Sequence, residues 1–382
     1  MNKKTLTAIG LMSGTSIDGI DVSLIKSDGH EIFKKELNYY YPYDLEIKKT
    51  LKQLINSQIK EDHDIKNAEI LVTQKHINAV NDFIKINKLN KEEIDIIGFH
   101  GHTILHDPDN GITHQIGDAK MLALETQIDV VYDFRGKDVS LGGQGAPLVP
   151  IYHHALFKHH KKPVIILNIG GVSNITYLED DKRENIIACD ICFGNAPMDD
   201  LVHHFSGQEF DDGGRIASLG KINQELADII LKQDYFSKKP PKSLDRNHFS
   251  QLLNEKLLTN FSNIELKDAL KTICYIIAKS LELEISKLNK KPVEIIVCGG
   301  GRNNKTIMQM LEEVCKIKVS NIDEYNLDGS AIESQAFAFL AIRHLKNLPI
   351  TFRKTTGISI NESCGGVLEI MLRHKLKKAM MQ

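Results

Sequence analysis

GLMSGTSIDGIDVSL, residues 10–24, is the stretch from which the rest of the chain can be read. Thr7-Ala8-Ile9 before it is a short apolar run, and after the turn Ile20, Val22 and Leu24 alternate with Asp21 and Ser23. That alternation predicts two paired strands joined by a turn rich in Gly, Ser and Asp. Gly14 and Gly19 let the backbone bend where a Cβ would clash. Thr15 and Ser16 bring hydroxyls and amide N–H groups, and Asp18 and Asp21 bring carboxylates. Such a turn suits phosphate oxygens, with a carboxylate beside it for a hydrated Mg²⁺. An ordinary polar hairpin has the same local pattern, so the decision rests on the remaining chain.

The same design recurs in the second half. Val164–Ile169 is an apolar strand, followed by Gly170-Gly171-Val172-Ser173-Asn174 and a second strand over Ile175–Leu178. One such hairpin in each half predicts two related domains facing each other across a cleft, each turn holding one side of a polyphosphate. That is the architecture of actin, hexokinase and the heat-shock ATPases. The expected fold class is therefore α/β, with two actin-like (ribonuclease H-like) domains and a nucleotide cleft between them. A third glycine turn, Gly299-Gly300-Gly301, follows the strand Val293–Val297 and precedes a helix over Lys305–Cys315. A strand-GGG-helix unit lets backbone lie against a flat ring such as adenine, and the helix start favours anionic groups. GRNNKT lacks the glycine before Lys of a P-loop, and the turn is not G-x-G-x-x-G.

Between these markers lie the candidates for chemistry. Amphipathic helices are expected over Asp44–Ile59 and Ala68–Ile86, and a short strand over Ile94–Phe99. That strand runs into His100-Gly101-His102, with His106 beyond, a weak zinc pattern that also fits a strand mouth touching a polar ligand. Arg135 ends the strand Val130–Phe134 and could fork onto a carboxylate or phosphate, or form a surface ion pair. A glycine cluster, Gly142 to Gly145, precedes a helix near Val149–Phe157. Ile186–Ala188 leads to Asp190, followed by Gly194, Asn195 and Asp199; a carboxylate at a strand end beside a glycine loop is where a general base sits, though it could also cap the helix near Ala196. Lys239 to Ser243, KPPKS, reads as a rigid, basic surface connection. A long helix is expected over Ile264–Leu288. The small residues of Ser330–Leu345 suit close crossing of another helix at a hinge, with Glu333 in its first turn facing substrate or the helix dipole. The implied division is 1–135 with about 355–382 for the first domain and 136–354 for the second.

Composition excludes other classes. The chain has 382 residues, 42% hydrophobic and 26% charged, which suits a globular protein of two domains. A net charge of −2 without a basic block, and only 6% aromatic residues, give no nucleic-acid surface. No run approaches the length of a membrane span. The six cysteines are scattered among apolar neighbours, as in a reduced, cytoplasmic protein. Cys189 and Cys192 have C-x-x-C spacing without the flanks of a thioredoxin-like site.

In order along the chain, GLMSGTSIDGIDVSL, GFHGHTILH, DFRGKDVSLGGQGAPLVP, NIGGVSNITYL, FDDGGRIASLG, PPKS, CGGGRNNKTIM and ESQAFAFLAIR make the sequence resemble the anhydro-N-acetylmuramic acid kinases of bacterial cell-wall recycling. The resemblance runs from Gly10 to about Leu368 and implies an actin-like fold and an ATP- and Mg²⁺-dependent reaction. It implies phosphorylation of O6 of 1,6-anhydro-N-acetylmuramic acid, with water opening the anhydro bridge at C1. Carried over, Gly14, Thr15, Ser16, Ile17, Asp18, Gly19, Ile20 and Asp21 hold the ATP phosphates, with Asp18 as the Mg²⁺ partner. Gly170 and Gly171 take the other side, and Gly299, Gly300 and Gly301 lie against adenosine. Asp190 matches the general base, while Arg135, Glu333 and His100 contact the sugar. The resemblance also hints at a homodimer. It has departures: the family's D-T-G-P-G-N reads Asp190-Ile191-Cys192-Phe193-Gly194-Asn195 here, His102 stands where Gln is usual, and Leu244-Asp245-Arg246-Asn247 replaces T-G-R-E. Those departures leave an alternative, a catalytically impaired actin-like protein that binds nucleotide or muropeptide. A metal-dependent hydrolase built on His100, His102 and His106 is the third reading.

Overall fold

The computed structural model of the chain describes residues 5–14, 16–56, 61–244, 253, 255 and 263–371; Thr15 and Asp245 to Asn247 lie outside the described residues. The chain divides into two compact units, Met1–Leu156 with Ala331–Gln382, and Phe157–Ser330.

In the first unit β1 (Leu6–Ser13) pairs antiparallel with β2 (Gly19–Ser27), and β2 with β3 (Ile32–Pro42). On its other side β1 runs parallel to β4 (Ile96–Asp107). β5 (Ile112–Ile116) folds back on β4, and β6 (Val130–Tyr132) continues the sheet in parallel. The second unit repeats the plan. β7 (Val164–Ile169), β8 (Val172–Leu178) and β9 (Ile186–Phe193) form an antiparallel meander, and β10 (Glu294–Cys298) and β11 (Lys318–Asn321) extend it in parallel from the β7 edge. Meander, then two parallel strands beyond the first, is the actin-like, ribonuclease H-like order, and it occurs twice. Even a detail of backbone repeats: Gly101, the sixth residue of β4, and Gly299, the sixth from the start of β10, both have φ of 74°. The chain then returns to the first unit, where β12 (Thr351–Phe352) pairs with β13 (Glu362–Ser363) and β14 (Val367–Glu369) adds antiparallel to β6.

The helix Ile332–Leu345, expected to cross another helix at a hinge, packs on the first unit's sheet. Gly10 and Gly98 are partners across β1 and β4. A Cβ on Gly10 would lie 1.8 Å from the Ser334 carbonyl oxygen, and one on Gly98 would lie 2.1 Å from that of Phe337. Backbone therefore rests on backbone, and the helix's small residues are matched by glycines of the sheet. The helix Pro150–Leu156 joins the same unit because Tyr152 donates to Gln335 Oε1 at 2.7 Å and packs on Phe339. The first unit accordingly runs past 135 to Leu156 and recovers the chain from Ala331, not from about 355.

In the second unit the helices Leu266–Ser286 and Lys305–Cys315 share one core with β7, β9 and β10, where Ile165, Leu167, Ile273, Ile277, Leu281 and Ile295 are fully buried. Asn304 caps the latter helix by accepting from the Ile307 N–H at 3.0 Å. Among the described residues, no helix is long and apolar enough to cross a membrane.

Candidate active site

The turn between β1 and β2 is closed by its own side chains. Asp18 Oδ1 accepts from Ser16 Oγ at 2.6 Å and from the Gly19 N–H at 3.0 Å, and the Asp18 carbonyl accepts from the Tyr43 N–H at 2.9 Å. Ser16 and Asp18 are both exposed, so hydroxyl and carboxylate reach solvent from a fixed frame. Between them Ile17 is buried at φ 57°, a left-handed conformation that costs a β-branched residue of order 1–3 kcal/mol. Burial of its side chain in the first unit's core offsets that strain. Gly14 is different from the packed glycines: a Cβ there would meet nothing nearer than Ser16 Oγ at 3.8 Å. Gly170 behaves alike, its nearest neighbour the Val172 oxygen at 3.8 Å. Neither has the positive φ that demands glycine, and among the described residues a Cβ in either turn would make only ordinary van der Waals contact.

Behind the first turn, Ser13 Oγ lies 2.8 Å from the Tyr43 hydroxyl and 2.9 Å from His102 Nδ1, all buried. Burial drives the His102 imidazole down to about 4, so it is neutral at pH 7. Its neighbour His100 is also neutral: burial and then the Arg135 guanidinium hold its pKa well below the ordinary value. Arg135 Nε donates to His100 Nε2 at 3.1 Å, which requires His100 Nδ1 to carry the proton and donate to the Gly101 carbonyl at 3.0 Å. Arg135 also donates to the Gly145 carbonyl at 2.8 Å, and Asp138 accepts from the Gly145 N–H at 2.7 Å. The glycine cluster thus helps to seat Arg135, which is half-buried and donates to the His100 ring and the Gly145 carbonyl. The His100 ring packs on Phe337 with centroids 4.6 Å apart, and Glu333 lies one helical turn before Phe337 on the same face. His100 and Arg135 are in direct contact, and all three residues, His100, Arg135 and Glu333, belong to the first unit.

In the second unit three glycine segments converge where β7, β9 and β10 end. The Gly194 N–H donates to the Gly171 carbonyl at 2.8 Å and the Asn195 N–H to that of Gly170 at 2.7 Å. Asn195 Nδ2 reaches the Ile169 carbonyl, while Ser173 Oγ donates to the Phe193 carbonyl at 2.9 Å. A Cβ on Gly194 would sit 2.1 Å from the Gly170 oxygen, and one on Gly299 would sit 2.6 Å from the Ile169 oxygen. Gly170-Gly171, Gly194-Asn195 and Gly299 to Gly301 form one backbone-lined cluster, with the N-terminus of the Lys305–Cys315 helix just beyond.

Asp190 is not at a strand end. It lies inside β9, which continues to Phe193, and it pairs with Asn174. Next to it the ladder slips: Ser173 pairs with Cys192 and Asn174 with Asp190, leaving Ile191 as an extra residue. A bulge re-aims the side chains around it and is found beside active sites. Asp190 is only 7% exposed. Its Oδ2 accepts from the Leu244 N–H at 2.8 Å, its N–H donates to the Lys242 carbonyl at 3.0 Å and its carbonyl accepts from the Tyr235 hydroxyl at 2.7 Å. The helix Ala196–Ser206 is not capped by it, since Asn195 occupies the cap position.

A family model described as anhydro-N-acetylmuramic acid kinase matches residues 6–369. The chain belongs to the anhydro-N-acetylmuramic acid kinase family. Relatives of that name include one from Zymomonas mobilis, 44% identical over 362 residues, covering 92% of this chain and 97% of the relative. One from Rhodopseudomonas palustris is 41% identical, covering 95% of this chain and 99% of its own. A third, from Rhizobium johnstonii, is 39% identical with coverage of 95% and 98%.

Within this anhydro-N-acetylmuramic acid kinase family member the departures at 191–193 go inward. Ile191, Cys192 and Phe193 are all buried in the second unit's core. Cys189 and Cys192 are buried free thiols, and burial pushes both up, Cys192 to about 12, which disfavours the thiolate form. The three histidines of β4 do not converge: His100 meets Arg135, His102 meets Ser13, and His106 Nδ1 lies 3.0 Å from Thr113 Oγ1. Among the described residues no group of three His, Cys, Asp or Glu could hold a metal, which removes the hydrolase reading's ligand set. The KPPKS connection is also corrected: Lys242 is buried on Glu284 rather than displayed on the surface. Sequence reasoning missed Ser13, Tyr43 and Tyr235, each a lone hydroxyl whose partner is distant in the chain, and the anchoring role of Gly194-Asn195.

Proposed function

We propose that this chain is an ATP- and Mg²⁺-dependent kinase that phosphorylates O6 of 1,6-anhydro-N-acetylmuramic acid and hydrolyses its anhydro bridge, giving N-acetylmuramic acid 6-phosphate. The observation that carries the reading is the seat of Asp190, a buried carboxylate held through its N–H, its C=O and one carboxylate oxygen at a strand bulge. Such a group is prepared to take one proton at one place. In the reaction a water attacks C1, the C1–O6 bond breaks, and Asp190 accepts the water's proton. O6 takes the γ-phosphoryl group and ADP leaves. Phosphoryl transfer asks mainly for placement and neutralisation of charge.

The other roles follow the geometry of each unit. Gly14 to Asp21 receives phosphate oxygens on the first unit, where the open face of Gly14 and the Ser16 hydroxyl are displayed. The open face of Gly170, with Gly171, offers phosphate contacts on the second, and Gly299 to Gly301 offer a flat backbone surface for adenosine. Asp18 fits Mg²⁺ as an exposed, hard oxygen donor, because this ion keeps several waters and needs one or two carboxylates beside substrate phosphates. When bound, the ion neutralises phosphate charge. Arg135, oriented by neutral His100, and Glu333 position the sugar. Buried free cysteines fit a cytoplasmic setting.

The test is turnover of ATP, Mg²⁺ and the anhydro sugar by the purified chain, with product identified by mass spectrometry. Asp190→Asn should lower kcat by at least about a hundred- to ten-thousand-fold, the usual worth of a positioned base, while ATP binds nearly as before. Nucleotide binding without any phosphosugar product in the unaltered chain would sink the kinase reading.

A further inference from the structure

Lys242 and Glu284 form a buried ion pair in the second unit that the reaction above does not use. Lys242 Nζ lies 2.7 Å from Glu284 Oε1, with side chains 5% and 1% exposed. A buried ion pair is poor evidence of a stability device, because apolar residues of similar size often serve as well. Here it sits in a closed loop around Asp190. The Lys242 ammonium donates to the Tyr235 carbonyl at 3.0 Å and lies 4.2 Å over the Tyr235 ring. The Tyr235 hydroxyl donates to the Asp190 carbonyl, and the Asp190 N–H donates back to the Lys242 carbonyl. Two residues on, the Leu244 N–H holds the Asp190 carboxylate. Glu284 belongs to the helix Leu266–Ser286 and accepts from Lys287 as well, 2.7 Å away. Lys287 in turn donates to the Phe236 and Lys238 carbonyls. One carboxylate therefore pins both ends of the segment 235–244 to a rigid helix.

We propose that Lys242, anchored by Glu284, is a positioning residue: it fixes the segment that holds the Asp190 carboxylate in its productive orientation, and it touches neither sugar nor nucleotide. The inference rests on the reading of Asp190 as the base. Charge-assisted bonds are short and directional, so they set the backbone of 242–244 more tightly than apolar packing would. Misplacement of a reacting group by about 1 Å can cost on the order of a hundredfold in rate.

The experiment compares the unaltered chain with Lys242→Met, Lys242→Arg, the double variant Lys242→Met with Glu284→Leu, Tyr235→Phe and Asp190→Asn. For each, kcat, the sugar KM, ATP affinity and the melting temperature are measured. Lys242→Met should lower kcat about 10- to 100-fold with the sugar KM and ATP affinity changed less than threefold, and Lys242→Arg should recover part of the loss. The double variant removes the Lys242–Glu284 pair together and leaves Lys287, partly exposed, on the Phe236 and Lys238 carbonyls, so it should melt near the unaltered chain and still show the lowered kcat. Tyr235→Phe, which removes only a hydroxyl, should lower kcat in the same manner and keeps the test alive if larger changes unfold the chain. A double variant with restored kcat, or losses confined to KM, would overturn the inference. Normal turnover by Asp190→Asn would instead remove the base assignment itself, whatever Lys242 does.

Discussion

Replacing Gly170 by alanine, and separately Gly14, separates a glycine kept for a ligand from one kept for the fold. Among the described residues a methyl group at either position meets no heavy atom outside its chain neighbours nearer than 3.8 Å, which is ordinary van der Waals contact. Neither position has a positive φ, so alanine is unstrained at both. The folded state therefore loses nothing, and the unfolded chain loses freedom worth about 0.4–1 kcal/mol. Melting temperatures should stay within about 2 °C of the unaltered chain, or rise. Phosphate binding is another matter, because a phosphate resting against the bare backbone is displaced by a methyl carbon. ATP affinity should fall at least about tenfold, or about 1.4 kcal/mol, for each variant. Isothermal titration with ATP and Mg²⁺, beside thermal denaturation, reads both quantities on one sample. Gly194→Ala supplies the contrast, since its Cβ would lie 2.1 Å from the Gly170 carbonyl oxygen, and stability and nucleotide affinity should fall together. Wild-type ATP affinity in both Gly14→Ala and Gly170→Ala would refute the reasoning that these turns are open for phosphate.

Three further outcomes test other parts of the structure. Gly98→Ala brings a Cβ within 2.1 Å of the Phe337 carbonyl oxygen, backbone against backbone, and should cost about 3 kcal/mol or more in urea unfolding; a loss under about 0.5 kcal/mol would mean the helix is not seated on that glycine. His102→Gln should make the chain less sensitive to acid: His102 titrates near 4 in the fold and near 6.5 unfolded, so protons favour the unfolded state as pH falls from 6.5 to 4, a penalty of about 2 kcal/mol at pH 5 that glutamine lacks. Unfolding midpoints at pH 7 and pH 5 decide it, and an unchanged difference between them would count against a buried neutral His102. Glu294, although burial alone would raise it, is held down to about 2 by bonds from Lys318, Ser320, Tyr325 and His160. Its stabilisation is complete above about pH 4.5 and lost as pH drops toward 2, so Glu294→Gln should lower stability at pH 7 and flatten the acid limb of the stability curve.

How far the sequence could be read depended on the range of the interaction. The two hairpins were legible because strand alternation and turn glycines are local, and their repetition announced two copies of one sheet plan. Asp190 was found through its neighbours Gly194 and Asn195, which are also local. The end of its strand was not legible: β9 runs on through Cys192 and Phe193 because the second unit's core accepts those side chains, and the extra residue Ile191 shows only in the pairing with β8. Lys242 was misread for a similar reason. A lysine between prolines and a serine reads as surface until Glu284, 42 positions later in the chain, comes within 2.7 Å of it. The small residues of the Ile332–Leu345 helix did announce a close approach, but what they approach, Gly10 paired with Gly98, is more than 230 positions away in the chain and is fixed only by the sheet.

That same dependence on the core bears on the departure at 191–193. Where the family's usual glycine and proline would shape the turn by backbone conformation, Cys192 and Phe193 are buried and hold it by packing, alongside Ser173 and the Gly170-Gly171 turn. The features that the proposed base would need are retained: a buried carboxylate that accepts from the Leu244 N–H, an Asp190 backbone fixed through its N–H and C=O, and a Gly-Asn pair locking the neighbouring turn. A larger side chain at such a position harms the site only if it points toward the substrate or forces the strand aside. Both are avoided when the bulge at Ile191 lets residues 191 to 193 enter the core while Asp190 keeps its own set of bonds. The physical requirement at this strand is therefore the orientation of one carboxylate, and two different local sequences can meet it.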